Sequence, residues 1–283
     1  MDKTVGVSIK EATNLLEEAD IANARSEAAL LLRYIKKWQT YQLLMNMQEP
    51  LTREESEEFL TMVRLRKTGY PLQYITKTQE FMGLEFEVNP HVLIPRYDTE
   101  ILVEAVLKKD LPSNTRVVDV GTGSGAIAVS LAKLKESWEV YAVDISEAAL
   151  EVAKKNSEKH DVNIAFLKGD LLEPIKKVGI KPGLIVSNPP YIPLQEINSL
   201  MKEVQFEPHL ALQGGEDGLD VYRRLVPQAY ECLDRQGYLI MEIGYDQGKA
   251  VSELCGNAGF RQIKIIKDYQ NHDRVLIVEA GQQ

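Results

Sequence analysis

The chain has 283 residues, 44% hydrophobic and 27% charged, with a formal net charge of −9. That is enough to bury a core in one large domain or two ordinary ones, and the acidic balance argues against broad nucleic-acid affinity, which draws on clustered Lys and Arg. Cys232 and Cys255 belong to no CxxC or Cys/His cluster, the start Met1-Asp2-Lys3-Thr4 lacks a signal-peptide core, and no apolar stretch nears the ~20 residues that span a bilayer; the expectation is a cytoplasmic protein with reduced thiols, no metal and no membrane contact.

Residues 1–78 read as helices with short links. Ser8 and Glu11 form a capping-box pattern ahead of Ile9, Ala12, Leu16 and Ala19 at helical spacing. Ser26 is placed to cap a second helix with Leu31, Tyr34, Ile35 and Trp38. Thr52 and Glu55 form another box before Phe59, Met62 and Val63, and Gly69 with Pro71 closes the run. The acidic run Glu54-Glu55-Ser56-Glu57-Glu58 is a solvated helix face.

Over residues 79–97 the period changes. Phe81, Leu84, Phe86 and Val88 suggest a strand, and Val92-Leu93-Ile94 suggests its return across an Asn89-Pro90 turn. This hairpin links the helical segment to residues 98–283. The latter open with a helix containing Ile101, Leu102, Ala105 and Val106.

From about residue 115, strands and helices alternate. Strands are expected at Val117-Val118, Val140–Val143, Ile164–Leu167, Leu184–Val186 and Tyr238–Ile243, with helices between them. This order is that of an α/β doubly wound parallel sheet. Ile263–Ile266 and Val275–Val278 lie too close together for a crossover helix, so an antiparallel pair is expected at the C-terminal edge.

Ligands of such sheets collect at the carboxyl ends of the strands. There the sequence places Asp119, then Gly121-Thr122-Gly123-Ser124-Gly125. Gly121, Gly123 and Ala126 satisfy a relaxed dinucleotide fingerprint, with Asp144 near the expected ribose-binding acid, so a nicotinamide or flavin cofactor is one reading. Asp119 points elsewhere. A carboxylate two residues before the first glycine repels phosphate and suits a cation such as the methionine ammonium of S-adenosylmethionine, whose ribose diol Asp144 could accept. The alternative is that Asp119 caps the helix or braces the loop. After the third strand, Asp170 could reach an adenine amine and Leu171 its face; a plain polar loop is the other reading.

Asn188-Pro189-Pro190-Tyr191 follows the fourth strand. Proline lacks an N–H and fixes φ, and the residue before it is pushed to extended backbone, so this is a stiff turn rather than a continuing strand. It presents an amide, unpaired carbonyls and an aromatic face, which suit a planar NH2 substrate. Asn-Pro is also a common turn starter.

Taken together, the glycine loop, Asp144 and Asn188–Tyr191 resemble class I S-adenosylmethionine-dependent methyltransferases that act on planar NH2 groups. Pro71-Leu72-Gln73-Tyr74-Ile75, Phe81-Met82-Gly83-Leu84, Val92-Leu93-Ile94-Pro95-Arg96 with Asp98-Thr99-Glu100, Glu207-Pro208 with Ala211-Leu212 and Gly214-Gly215, and Asp273-Arg274-Val275 narrow the likeness to the bacterial release factor glutamine methyltransferase family. Tyr97 departs from the pattern, which has Pro there.

The resemblance implies a seven-stranded, mostly parallel Rossmann-like methyltransferase sheet with an antiparallel C-terminal edge strand, joined by the hairpin to a small helical domain that docks substrate. It implies that Gly121 to Gly125, Asp144 and Leu171 bind S-adenosylmethionine, with S-adenosylhomocysteine as product; Asp119, Asp170 and Asn188 are expected to complete the cofactor site. Asn188, Pro189, Pro190, Tyr191 and Arg96 would bind the glutamine of a release factor's Gly-Gly-Gln loop, with Asn188, Pro189 and Tyr191 catalytic. A rival is an adenine amino-methyltransferase on nucleic acid, against which the acidic charge and the lack of a basic stripe count. A second is a noncatalytic module that kept the fold. His209 is read as a loop residue rather than a base.

Overall fold

The computed structural model describes residues 3–281. They form two compact units. One is the chain up to Lys77 together with Met201–Phe206; the other is Thr78–Leu200 together with the chain from Glu207 onward.

The first unit holds helices α1 (Val5–Glu17), α2 (Ala24–Lys36), α3 (Thr40–Met45), α4 (Arg53–Lys67) and α5 (Leu72–Thr76). The Thr52–Glu55 box forms at the start of α4, with Thr52 Oγ1 accepting the Glu55 N–H and Glu55 accepting the Thr52 N–H. The other two expected caps are corrected. Helix α1 begins a turn earlier, capped by Thr4, because Val5 is core and the Val5 and Gly6 N–H groups find the Glu49 and Met47 carbonyls. Ser8 is therefore buried mid-helix, its hydroxyl unpaired. Helix α2 starts after Asn23, putting Ser26 inside it. Ile9, Ala12, Leu16, Leu31, Leu32, Phe59 and Val63 make the shared core. Met201–Phe206 belongs here because buried Arg66 bonds both Glu27 and Glu203, and Phe206 packs edge-on against Tyr70 at 5.3 Å.

The second unit opens with strands β1 (Thr78–Phe81) and β2 (Leu84–Glu87). Met82 and Gly83 take φ of +52° and +73°, the two-residue turn whose twist suits a hairpin. The hairpin thus closes on Met82-Gly83. Val92–Ile94, expected as the return strand, forms none: Asn89-Pro90 does turn, but the Ile94 N–H goes to the Glu207 side chain.

There follow α6 (Tyr97–Leu107), β3 (Arg116–Val120), α7 (Ala126–Leu134), β4 (Glu139–Asp144), α8 (Glu147–Lys159), β5 (Ile164–Lys168), α9 (Glu173–Val178), β6 (Leu184–Ser187), α10 (Asp220–Cys232), β7 (Tyr238–Glu242), α11 (Gly248–Ala258), β8 (Phe260–Lys267) and β9 (Asp273–Ala280). The sheet has seven strands in the order β5-β4-β3-β6-β7-β9-β8. All pairs from β5 to β7 are parallel; β9 runs antiparallel between β7 and β8.

Successive strand residues feed opposite faces. Val117, Val186 and Ile240 pack in one apolar layer, and Val118, Ile185 and Leu239 in the other. Helices cover both faces, which is why these strands are apolar throughout rather than alternating with polar residues. The chain winds outward from β3 to β5, then returns to β6 beside β3. This reversal is the switch point where doubly wound sheets open a ligand crevice. Val120 lies opposite Ser187 in the parallel register, so the glycine loop and the Asn-Pro-Pro-Tyr turn start side by side.

Candidate active site

The glycine loop is held from beneath. The Gly121 and Thr122 N–H groups donate to the Val143 carbonyl at 2.8 and 3.0 Å, and the Gly123 N–H donates to Asp144 Oδ2 at 2.9 Å. Gly121 and Gly123 have φ of +73° and +56°, with no atom within 4 Å of where a Cβ would stand. Side chains are thus disfavoured by the backbone, and open space lies over these two residues. A ligand can approach the main chain there. Asp144 also accepts the Ser146 N–H at 2.9 Å, yet two carboxylate oxygens offer about four acceptor positions, leaving room for a diol. Burial raises its pKa against these bonds.

Asp119 requires a correction. It is wholly buried, so direct contact with a ligand ammonium is closed in this conformation. Its Oδ2 accepts the Thr122 hydroxyl at 2.6 Å, while Oδ1 has no partner. The loop-bracing alternative describes this geometry. Burial raises its pKa to about 7, helped by the Asp144 charge and opposed by Thr122 and the Ala128 N–H. Thr122 and Ser124 are also buried; they shape the loop rather than line its surface.

The Asn-Pro-Pro-Tyr turn is fixed by a chain of side chains. Asn188 Nδ2 donates to Thr99 Oγ1 at 3.1 Å. Thr99 Oγ1 donates to Glu242 Oε2 at 2.6 Å, and the Tyr191 hydroxyl donates to Glu242 Oε1 at 3.1 Å. Glu242 is 2% exposed. Burial raises its pKa, while Thr99, Arg274 and Tyr191 pull it down. Burial and the Glu242 charge raise that of Tyr191. The Tyr191 carbonyl accepts from Gln247 Nε2 at 2.9 Å, and Ile192 exchanges backbone bonds with Leu212 and Gly214. A Cβ on Gly214 would stand 2.7 Å from Tyr191 Cα; the loop needs glycine there to close on the turn. Among the described residues, no protein group donates to Asn188 Oδ1 or to the Pro189 carbonyl.

Other expected site residues fall less centrally. Asp170 is paired with Arg224 of α10, which occupies one of its oxygens. Leu171 has φ +49° and packs on the core below the sheet's second face; a left-handed leucine is strained backbone of the kind found at functional sites. Arg96 is paired with buried Glu207, so it ties the segment before α6 to the loop after β6. Pro190 is part-buried within the turn, and Tyr97 begins α6 with its side chain exposed. His209 is exposed, 3.4 Å from Gln213 Nε2.

Residues 8–76 match the family described as the PrmC N-terminal domain, and residues 97–206 match the methyltransferase small domain. A release factor glutamine methyltransferase of Moorella thermoacetica is 43% identical over 278 residues, covering 97% of this chain and 98% of the relative. That of Bacillus subtilis is 42% identical over 282 residues, covering 97% of each. The chain belongs to the release factor glutamine methyltransferase family. A solved methyltransferase from Pyrococcus furiosus shares the fold, with TM-score 0.54 and 21% identity over 81% of this chain and all of that one.

In this family member, sequence reading missed Glu242 and Gln247 and gave Thr99 and Arg274, though both lie in the segments that carry the resemblance, no role in the site. Glu242 left a signal: an acid at the end of the apolar strand Leu239-Ile240-Met241, as Asp144 ends its own. Thr99 was marked only by its place in the Asp98-Thr99-Glu100 segment and Gln247 left no signal, since their role exists only once α6 and α11 pack beside the turn. Among the described residues, no helix is long and apolar enough to cross a membrane.

Proposed function

We infer that this protein transfers a methyl group from S-adenosylmethionine to the side-chain amide nitrogen of a glutamine, the one in the Gly-Gly-Gln loop of peptide chain release factors. The observation that carries the reading is the pair of acceptors, Asn188 Oδ1 and the Pro189 carbonyl, left without protein donors beside the glycine loop. An amide NH2 has two hydrogens to satisfy them. The family relatives supply the substrate class.

The donor, when bound, supplies an already activated sulfonium methyl. Gly121, Gly123 and Asp144 suit it: open main chain and a diol acceptor. The chain's own contribution is orientation. An amide nitrogen is a weak nucleophile because its lone pair is delocalised. Holding it in line with the reacting carbon is worth about 7–11 kcal/mol of barrier. Asn188 Oδ1 and the Pro189 carbonyl each take one hydrogen and aim the nitrogen. As positive charge develops on it, the same oxygens stabilise that charge. Tyr191 packs on the amide plane. The methylated nitrogen then loses its proton to water, so no histidine base is needed. The segment 1–78 and the hairpin region 79–97 serve docking of the release factor, and 98–283 the chemistry.

The test is mass spectrometry of a purified release factor after incubation with this protein and the donor, with DNA offered in parallel. One added methyl on the loop glutamine is expected; methylation of DNA alone would refute the reading.

A further inference from the structure

Asn188 can serve as an acceptor only if its amide is turned the right way. An asparagine side chain presents oxygen on one side and NH2 on the other, two orientations of nearly identical shape. With NH2 toward the substrate, Asn188 would oppose the amide hydrogens it is meant to receive. Something must choose the orientation, and the turn itself does not.

We propose that Glu242 and Thr99 are positioning residues that set the amide orientation of Asn188, forcing its NH2 inward and its oxygen toward the substrate nitrogen. The inference rests on the glutamine-amide reading above and adds two residues to it. The argument is one of hydrogen-bond polarity. An ionised carboxylate only accepts. Glu242 receives a hydroxyl on each oxygen, and from Thr99 it takes the single hydroxyl hydrogen at 2.6 Å. Thr99 then has only lone pairs to offer Asn188, which must turn its NH2 toward them, at 3.1 Å. The same carboxylate accepts the Tyr191 hydroxyl on its other oxygen, so it anchors both ends of the Asn-Pro-Pro-Tyr turn.

Each link is buried or nearly so; Thr99 and Glu242 are 5% and 2% exposed. Water cannot readily exchange into the chain and scramble its sense. Donors on both oxygens, Thr99 and Tyr191, make Glu242 the acceptor of the chain; burial raises its pKa and the Arg274 charge on the neighbouring strand β9 opposes that rise, while the Tyr222 hydroxyl fixes its main chain by donating to the Glu242 carbonyl at 2.9 Å. The register contributes too. Ser187 lies opposite Met241, so Asn188 and Glu242 are the next residues of adjacent parallel strands. Thr99, in the first turn of α6, bridges them.

The test compares Thr99→Val, which keeps the shape and removes the hydroxyl, with Thr99→Ser, which keeps the hydroxyl, and with Glu242→Gln, whose amide can donate to Thr99 and reverse the chain. Release-factor methylation gives kcat and KM, calorimetry gives donor affinity, and the side-chain NH2 resonance of Asn188 in asparagine-selective ¹⁵N-labelled protein reports the bond without any substrate. Thr99→Val is expected to lower kcat about fivefold, the factor one ordinary hydrogen bond is worth, with donor affinity within twofold of wild type. Its Asn188 NH2 signal should lose protection from solvent exchange. Thr99→Ser should restore both, and Glu242→Gln should lower kcat. Wild-type kcat in Thr99→Val or Glu242→Gln, or a Ser variant no better than Val, would overturn the proposal. If wild type fails to methylate the glutamine, the parent reading falls. The relay is then judged by the Asn188 resonance: unchanged in Thr99→Val, it overturns the proposal; unprotected there and restored in Thr99→Ser, it supports it.

Discussion

Replacing Asp119 with Asn should stabilise the sheet unit, and increasingly so as pH rises. Asp119 is wholly buried with one oxygen unpaired, and its pKa is pushed up to about 7, against ~3.9 in an unfolded chain. Between those values the unfolded chain has released the proton and the native protein still holds it. Native protein binds more protons there, so stability falls as pH rises from about 4 through 7 and the loss is complete above it. Three pH units correspond to roughly 4 kcal/mol, of which about 2–3 kcal/mol develops between pH 5 and 8.5. Asn cannot ionise, and its amide can still pair with Thr122.

The two tryptophans divide between the units, Trp38 in the helical one and Trp138 in the sheet unit. Denaturant unfolding followed by Trp138 fluorescence in a Trp38→Phe background isolates the relevant transition. The stability difference between Asp119→Asn and its parent should grow by about 2–3 kcal/mol from pH 5 to pH 8.5. Asp144 and Glu242, whose pKa values are also raised, titrate in both proteins and largely cancel. A difference independent of pH would mean that Asp119 ionises like an exposed carboxylate and that burial does not govern it.

Three further outcomes are expected. Asn188→Ala should lower turnover by about 10²–10³, the scale for losing one preorganised charge-stabilising group, while calorimetry finds donor affinity unchanged; wild-type turnover would remove the two-acceptor scheme. Gly123→Ala should cost the fold only about 1–2 kcal/mol, because space over it is open and the cost is backbone strain alone, yet it should weaken donor binding at least tenfold by placing a methyl group in the crevice; undiminished affinity would move the ligand elsewhere. Arg66→Ala should destabilise the helical unit by about 1.5–3 kcal/mol, the scale of lost charged hydrogen bonds, since Glu27 and the more exposed Glu203 lose the buried cation they share, and a Trp38-detected midpoint equal to wild type would refute that.

How legible the molecule was in its sequence depended on the range of the forces involved. Strand positions were readable because both faces of the sheet are covered, so runs such as Leu184-Ile185-Val186 are apolar without interruption. The Thr52–Glu55 cap was readable because both partners lie within one turn. Ser8 misled for the complementary reason: carbonyls of Met47 and Glu49, some forty residues on, satisfy the first turn of α1 and free its start to move to Val5. The hairpin return was misplaced because Met82-Gly83, a residue pair without strong turn composition, turns more tightly than Asn89-Pro90. For Asp119 both a direct contact and a loop-bracing role were legible, and spacing alone did not decide between them; burial of its side chain, a tertiary property, does.

Buried carboxylates at strand ends connect these observations. Asp119, Asp144 and Glu242 all lie at the carboxyl ends of parallel strands, and burial raises the pKa of each. A fold selected for stability alone would place apolar residues there, as it does along the rest of the same strands. Three carboxylates held against their solvation mark where stability has been given up, and they surround one crevice. Asp119 and Asp144 shape the glycine loop from below and beside it, and Glu242 sets the neighbouring turn. Perturbed acids clustering at a switch point is the pattern of a working site. It follows that neutral isosteres at these positions should raise stability at alkaline pH while lowering turnover, and a variant of Glu242 that did neither would separate it from the group.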